Sequence, residues 1–250
     1  MTAGAIRPTM AIMPVAMQEG GLGSDFPAMP PNAALFLDVD GTLVPIEAHP
    51  QAVSIDAGLR DLLGRLSSAN QGALALISGR SIADIDALFL PATFAVAGQH
   101  GAERRGANGV LHSHAPPSAR LLQPAEELRA LVRRHPGLLL EEKGASLALH
   151  YRAAPVLGDL VDRETRRIGE ALGEDFERQA GKFVVEIKPS GRDKGTAIAA
   201  FMAEAPFAGR TPVFVGDDLT DELGFAYVNT RGGMSVKVGP GDTCAQARLA

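Results

Sequence analysis

Tryptophan is absent, aromatic residues make up 5% of the chain, and cysteine occurs once, at Cys244. A single cysteine excludes an intramolecular disulfide and a cysteine-built zinc site, and it fits a reducing cytoplasm. Basic residues are outnumbered, 24 against 29 acidic ones, for a net charge of −5, and no basic cluster is interleaved with aromatics. Nucleic acid is therefore not an expected partner. No apolar run approaches membrane-spanning length, so no membrane partner is expected either. What remains is ordinary globular material, 46% hydrophobic and 21% charged, in 250 residues. That length holds one large domain or two modest ones.

Residues 1–32 differ from the rest, being rich in Ala, Met, Pro and Gly. Pro8 and Pro14 interrupt a short apolar stretch behind a lone Arg7. A flexible tail is the expectation, in preference to a signal peptide. Beyond it, strand and helix patterns alternate. Residues 34–39, 72–79 and 93–101 read as buried strands, separated by helical spacing over 56–69 and 81–89, the latter opening on a serine cap. The alternation resumes with a helix over 193–203 and a buried strand over 211–218. Buried strands alternating with helices imply one parallel sheet covered on both faces. Between the two blocks the texture changes to helix, two strands, helix, two strands, with turns at Gly144 and at Gly181-Lys182. The organisation expected is a core in two parts, 33–115 and 188–250, with a small α+β insert over 116–187.

Two of these strands end in acids. Asp38 and Asp40 close the first, Asp217 and Asp218 close the strand over 211–218, and Asp221 and Glu222 follow within a turn. Sites in open α/β sheets lie beyond the carboxyl ends of the strands. If the two strands are neighbours, several carboxylates converge on one small volume. That is costly unless a hard cation holds them, and Mg²⁺ suits few carboxylates plus phosphate oxygens. Alone, Asp-Gly after a strand is a turn and a single Gly-Asp-Asp is weak. The ordered combination carries the inference.

The segments "DVDGT", "ISGR", "KPSGRDKG" and "VGDDLTDE" resemble the four ordered motifs of the haloacid dehalogenase-like phosphotransferases. Within that superfamily, "VAGQHGAE", "LLLEEKGASLALHYR", "VVEIKP" and "GDDLTDE" resemble the trehalose-6-phosphate phosphatases. The resemblance spans about 34–249. It implies a Rossmann-like parallel-sheet core with an inserted smaller α+β cap, Mg²⁺ as cofactor and trehalose 6-phosphate as substrate. It further implies Asp38 as a nucleophile forming an aspartyl-phosphate, and Asp40 as acid and then base. Thr42 would hold the loop, Ser78 would donate to a phosphoryl oxygen, and Lys194 would offset the phosphoryl charge. By the same resemblance Asp217 binds the metal beside Asp38 and the backbone carbonyl of Asp40, and Asp221 is either a further ligand or an orienting group.

Read singly, the same residues are bland. Ser78 in "ISG" suits a cap for the helix over 81–89, and Arg80 and Lys194 suit solvated surface charges. In the insert, Glu141 and Lys143 lie two apart on a strand, hence on one face. The resemblance assigns that pair to the sugar, with Glu186 on the last insert strand as a third contact. His150 and Arg152 share a face, for cross-strand support or substrate contact. Gln99 and His100 end the third strand facing the cap opening, and Gly79 and Arg80 complete the expected binding set. The family pattern continues beyond "RLA" with a strand and a helix, so the C-terminus is expected to be shortened. A monomer is the expected state. The alternatives are a phosphatase for another sugar phosphate, such as sucrose phosphate, and a catalytically silent sugar-phosphate sensor.

Overall fold

The computed structural model describes residues 28–47, 53–113 and 119–249. Most of the expected tail, the proposed boundary at 116 and the chain end at Ala250 lie outside the described residues.

An apolar run with no polar face needs cover on both sides, and the first strand shows how this chain supplies it. In β1 (Ala33–Leu37) every residue is buried. Leu35 and Leu37 point to one face, against Leu63 of α1 (Ala57–Ala69) and Ile82, Ile85 and Phe89 of α2 (Ile82–Phe89). Ala34 and Phe36 point to the other, against Ile198 and Phe201 of α5 (Lys194–Met202) and Phe225 and Val228 of α6 (Glu222–Thr230). Phe36 stacks on Phe207 at 5.5 Å between ring centroids. Period-two alternation in a central strand thus becomes two cores, one on each face of the sheet.

The large sheet has eight strands in the order β12-β11-β10-β1-β2-β3-β4-β5. β2 (Leu74–Ile77), β3 (Ala95–Gly98) and β10 (Thr211–Gly216) are the other apolar runs expected from the sequence. β11 (Met234–Val238) and β12 (Ala247–Leu249) extend the parallel part, and β4 (Glu103–Arg105) and β5 (Leu111–Ser113) add an antiparallel hairpin at the far edge. These four strands and α6 were not expected. β1 pairs directly with β10, Leu37 opposite Val215, so the two acid-bearing ends are neighbours.

The insert is a four-stranded antiparallel sheet, order β6-β7-β9-β8, with α3 (Leu122–Arg134) and α4 (Gly158–Leu172) on one face. β7 (Leu147–His150) and β9 (Val184–Pro189) turn Leu147, Leu149, Val185 and Ile187 to those helices. Glu141 of β6 (Leu139–Glu142), Ala148, Glu186 and Gln179 of β8 (Phe176–Gly181) form one cross-strand row on the other face. Among the described residues no helix is long and apolar enough to cross a membrane.

Candidate active site

The acids are brought together by backbone geometry. Asp38 follows β1, and its amide donates to the Val215 carbonyl of β10 at 2.9 Å. The chain then folds back, with the Gly41 amide donating to Val44 at 2.7 Å. Gly41 has φ +92°, and a Cβ there would lie 2.0 Å from Asp217 Oδ2. Only glycine accepts both the left-handed backbone and the carboxylate beside it. On β10's side, Asp221 Oδ2 accepts from the amides of Asp217 and Asp218 at 3.0 and 2.9 Å, closing the loop after the strand. Asp38, Asp217 and Asp221 each offer an oxygen within 4.8 Å of the others.

Lys194 is the cation among them. Asp193 caps α5 through a reciprocal capping box with Thr196, which sets Lys194 at the first helical position. Its Nζ donates to Asp38 Oδ1 at 2.7 Å and Asp221 Oδ1 at 2.6 Å, and its side chain is 3% exposed. The surface-lysine reading is thereby corrected: the helix start points it inward. Burial alone would depress its pKa, but Asp221 and Asp38 hold it above the usual lysine value. Burial raises the Asp38 carboxyl well above its ordinary value; Lys194 opposes this, and Asp221 and Asp217 add to it. Asp217 is pushed up to about 6 by burial and by Asp221 and Asp218.

Charge remains uncompensated, and Asp217 Oδ1 is buried without a hydrogen-bond partner. An all-oxygen donor set with an unsatisfied buried oxygen fits a hard divalent cation. Asp218 and Glu222 turn elsewhere: Asp218 caps the short turn at Leu219, and Glu222 accepts from the Cys244 amide. Lys237, buried on β11, donates to the Asp217 carbonyl. Sequence reasoning missed it; the signal was a lysine inside an apolar strand.

The other expected residues surround this cluster. Thr42 Oγ1 donates to Asp38 Oδ2 at 3.1 Å. Ser78 is buried, and its Oγ accepts from the Arg80 amide at 3.1 Å. It does not cap α2; Ser81 does, accepting from Asp84 at 3.1 Å. Arg80 is not a solvated charge. Its Nε and Nη2 hold both oxygens of Asp40, at 2.7 and 2.6 Å.

Across the cleft, Glu141 meets His150 Nε2 at 2.9 Å. Lys143 Nζ donates to the Gly79 carbonyl at 3.0 Å and lies 3.5 Å from Glu186 Oε2. Lys143 stands one residue past β6, in the turn toward β7, and not on the strand as expected; its amide still pairs with Ser146. Arg152 likewise lies past β7, donating to the Glu47 carbonyl at 3.1 Å. Gln99 and His100 lie just beyond β3, both buried. A cavity of about 220 Å³ is lined from one side by Asp38, Asp40 and Lys194, and from the other by Glu141, Lys143 and Glu186.

Burial alone would raise the Glu186 pKa, but Lys143, His100 and Ser146 hold it well below the usual carboxylate range. A depressed folded pKa stabilises above the unfolded value, near 4.5, and that stability is lost as pH falls further. Thermal midpoints measured from pH 7 to 3 are expected to drop below about pH 4.5, less steeply in Glu186→Gln.

Comparison with known proteins gives the same grouping. The family described as trehalose-phosphatase matches residues 36–249. The chain is 50% identical over 227 residues to the trehalose-6-phosphate phosphatase of Escherichia coli K12, covering 91% of this chain and 85% of that protein. A solved structure described as a trehalose-6-phosphate phosphatase related protein superposes with a TM-score of 0.73 at 30% identity, over 86% of this chain and 90% of that one. The C-terminal domain of Candida albicans trehalose-6-phosphate phosphatase gives 0.75 at 25% identity, over 88% of each chain. These likenesses bear out the expected α/β fold with its inserted smaller sheet. A matched family span covering nearly all the described residues, on a fold shared with its solved members, places this chain in the trehalose-phosphatase family.

Proposed function

We propose that this chain hydrolyses trehalose 6-phosphate to trehalose and phosphate, the last step of trehalose synthesis, through an aspartyl-phosphate on Asp38. One observation carries the reading. A single cavity has the buried Asp38–Lys194 pair on one wall and the hydrogen-bonding groups of Glu141, Lys143 and Glu186 on the other. A phosphate monoester of a neutral, hydroxyl-rich sugar suits such a cavity. On this reading 33–115 and 188–250 form the core and 116–187 the cap. On the same reading the enzyme acts as a monomer, both walls of the cavity coming from the described residues of one chain, and the lone cysteine suits the cytoplasm.

Asp38 Oδ attacks phosphorus opposite the ester oxygen; the P–O ester bond breaks and its electron pair leaves with the sugar oxygen, which takes a proton from Asp40. Asp40 then takes a proton from water, the water oxygen attacks phosphorus, and the Asp38 carboxylate departs. Thr42 orients Asp38, and the Ser78 hydroxyl, its oxygen already accepting from Arg80, has its proton free for a phosphoryl oxygen. Lys194 offsets the developing charge. Arg80 occupies both Asp40 oxygens here, so proton transfer to the sugar requires that pair to open. Mg²⁺, held by Asp38, Asp217 and the Asp40 carbonyl, would neutralise phosphoryl oxygens. Asp221, its oxygens taken by Lys194 and two amides, orients that loop.

Phosphate release from a panel of sugar phosphates with Mg²⁺ tests the reading, trehalose 6-phosphate being the expected best substrate. A preference for sucrose phosphate, or tight binding with no release, would replace it by one of the alternatives. Chelator is expected to abolish release and added Mg²⁺ to restore it; full turnover in excess chelator would contradict the metal assignment. Glu141→Gln and Lys143→Met should each cost about 1–3 kcal/mol in kcat/KM for trehalose 6-phosphate, because a buried partner is left unpaired. A small aryl phosphate, which does not reach the cap, should lose far less. Equal losses on both substrates would assign the pair to the fold or the chemistry instead.

A further inference from the structure

The turn after β3 is tied to the core by its amides, Gln99 donating to the Arg80 carbonyl at 2.9 Å and His100 to that of Ser78 at 3.0 Å, and it is strained. Gln99 and His100 both have left-handed backbones, φ 47° and 54°. Non-glycine residues enter this region at a cost, and such positions concentrate at functional sites. The turn brings the His100 ring to the cap, where Nε2 lies 3.1 Å from Glu186 Oε2. The ring also fills the space that Gly79 leaves, since a Cβ on Gly79 would sit 2.7 Å from Nε2. Glu186 Oε1 accepts from Ser146 at 2.6 Å, and Lys143 joins the same Oε2 to the Gly79 carbonyl. The core thus supplies His100 and Gly79, the cap supplies Glu186 and Lys143, and the four form one continuous set of contacts across the junction. An ionised carboxylate accepts, so Nε2 carries the hydrogen, and Nδ1 is left buried without a partner.

We propose that His100 is a positioning residue for sugar selection. It fixes Glu186, and through the shared Oε2 the Lys143 ammonium, over the cleft. The core then determines how tightly the cap grips the sugar, and His100, which also lines the cavity, acts through Glu186. This rests on the trehalose 6-phosphate reading for the identity of the sugar, and on the contacts alone for the junction.

Two variants separate positioning from folding. His100→Asn keeps a side chain tolerant of positive φ but falls short of Glu186. His100→Gln restores an N–H at that reach. For trehalose 6-phosphate, His100→Asn should raise KM about tenfold or more, with kcat changed by less than about threefold, and His100→Gln should recover most of the loss. In a Glu186→Gln background the His100→Asn change should add less than about twofold. Amide hydrogen exchange should quicken at Val185–Ile187 in His100→Asn while Phe36 and Val213 keep their protection. Additive losses in the double variant, a fall in kcat at unchanged KM, or unaltered exchange at Val185–Ile187 would each overturn the proposal. Failure of the parent enzyme to release phosphate from trehalose 6-phosphate would overturn the substrate reading instead, and the exchange comparison would still decide whether His100 fixes Glu186 at the junction.

Discussion

Asp38→Asn is expected to abolish phosphate release, by about 10⁴-fold or more, while the protein stays folded. An amide of the same shape cannot attack phosphorus, so no later step is reached. The same change relieves the fold. The Asp38 carboxyl is disfavoured in its charged form by burial and by Asp221 and Asp217, with Lys194 only partly offsetting them. In metal-free protein the neutral side chain should therefore leave the thermal midpoint unchanged or raised. Phosphate release and a melting curve on one preparation check both halves. Near-normal turnover would move the nucleophile to another residue, and a collapsed melting curve would mean that Asp38 holds the fold.

Lys194→Met should have the second largest effect, and here activity and stability fall together. The ammonium is enclosed, bonded to Asp38 and Asp221, and without it two buried carboxylates face each other with Asp217 close by. Leaving a buried ion pair half-removed costs about 3–5 kcal/mol, which for a chain of this size lowers the midpoint by roughly 6–20 °C. Because the folded Lys194 pKa is raised, its contribution is fully present below the unfolded value near 10.5 and is lost only as pH rises through the folded one. Protonation of Lys194 itself should therefore leave the gap between parent and variant unaltered up to about pH 10 and narrow it beyond, while toward acid pH the gap narrows as the stranded Asp38 and Asp217 take up protons. Adding Asp38→Asn to Lys194→Met should recover part of the lost stability, since one of the stranded charges is gone. A single variant as stable as the parent would contradict the ion-pair account.

Both predictions depend on contacts that local sequence does not encode. The apolar runs that became β1, β2 and β10 could be read directly, because burial on both faces leaves no polar position to confuse the pattern. β4 could not, because Glu-Arg-Arg has no apolar signal. Arg104 is buried there only by lying over Phe201, 4.9 Å away, and pairing with Glu204. β12 is three residues long, and α6 carries a glycine in its first turn, where Gly224 packs against the Phe214 ring. The site shows the same division. The order of the acids was legible; the partners of Asp40, Lys194 and Glu186 were not, since Arg80, Asp38 and His100 lie 40, 156 and 86 residues away. Such pairs follow from the strand order of the sheet and from how the insert sits on its rim. Lys143 and Arg152 were placed on strands because alternation continues past Glu142 and His150, but the strands end there and only turn hydrogen bonds, Lys143 to Ser146 and Tyr151 to Phe183, lie beyond.

The close approach of Gly41 to Asp217 has a consequence for inheritance. These positions, 176 apart in the chain, meet where a Cβ on one would overlap a carboxylate on the other. They therefore form an epistatic pair. A substitution at 41 is penalised through the acid at 217 as well as through its own backbone, and shortening the side chain at 217 removes only the first of those penalties. A lineage that lost the acid would find position 41 freer to drift, yet still held near glycine by φ +92°. One that kept the acid would have both reasons to keep the glycine.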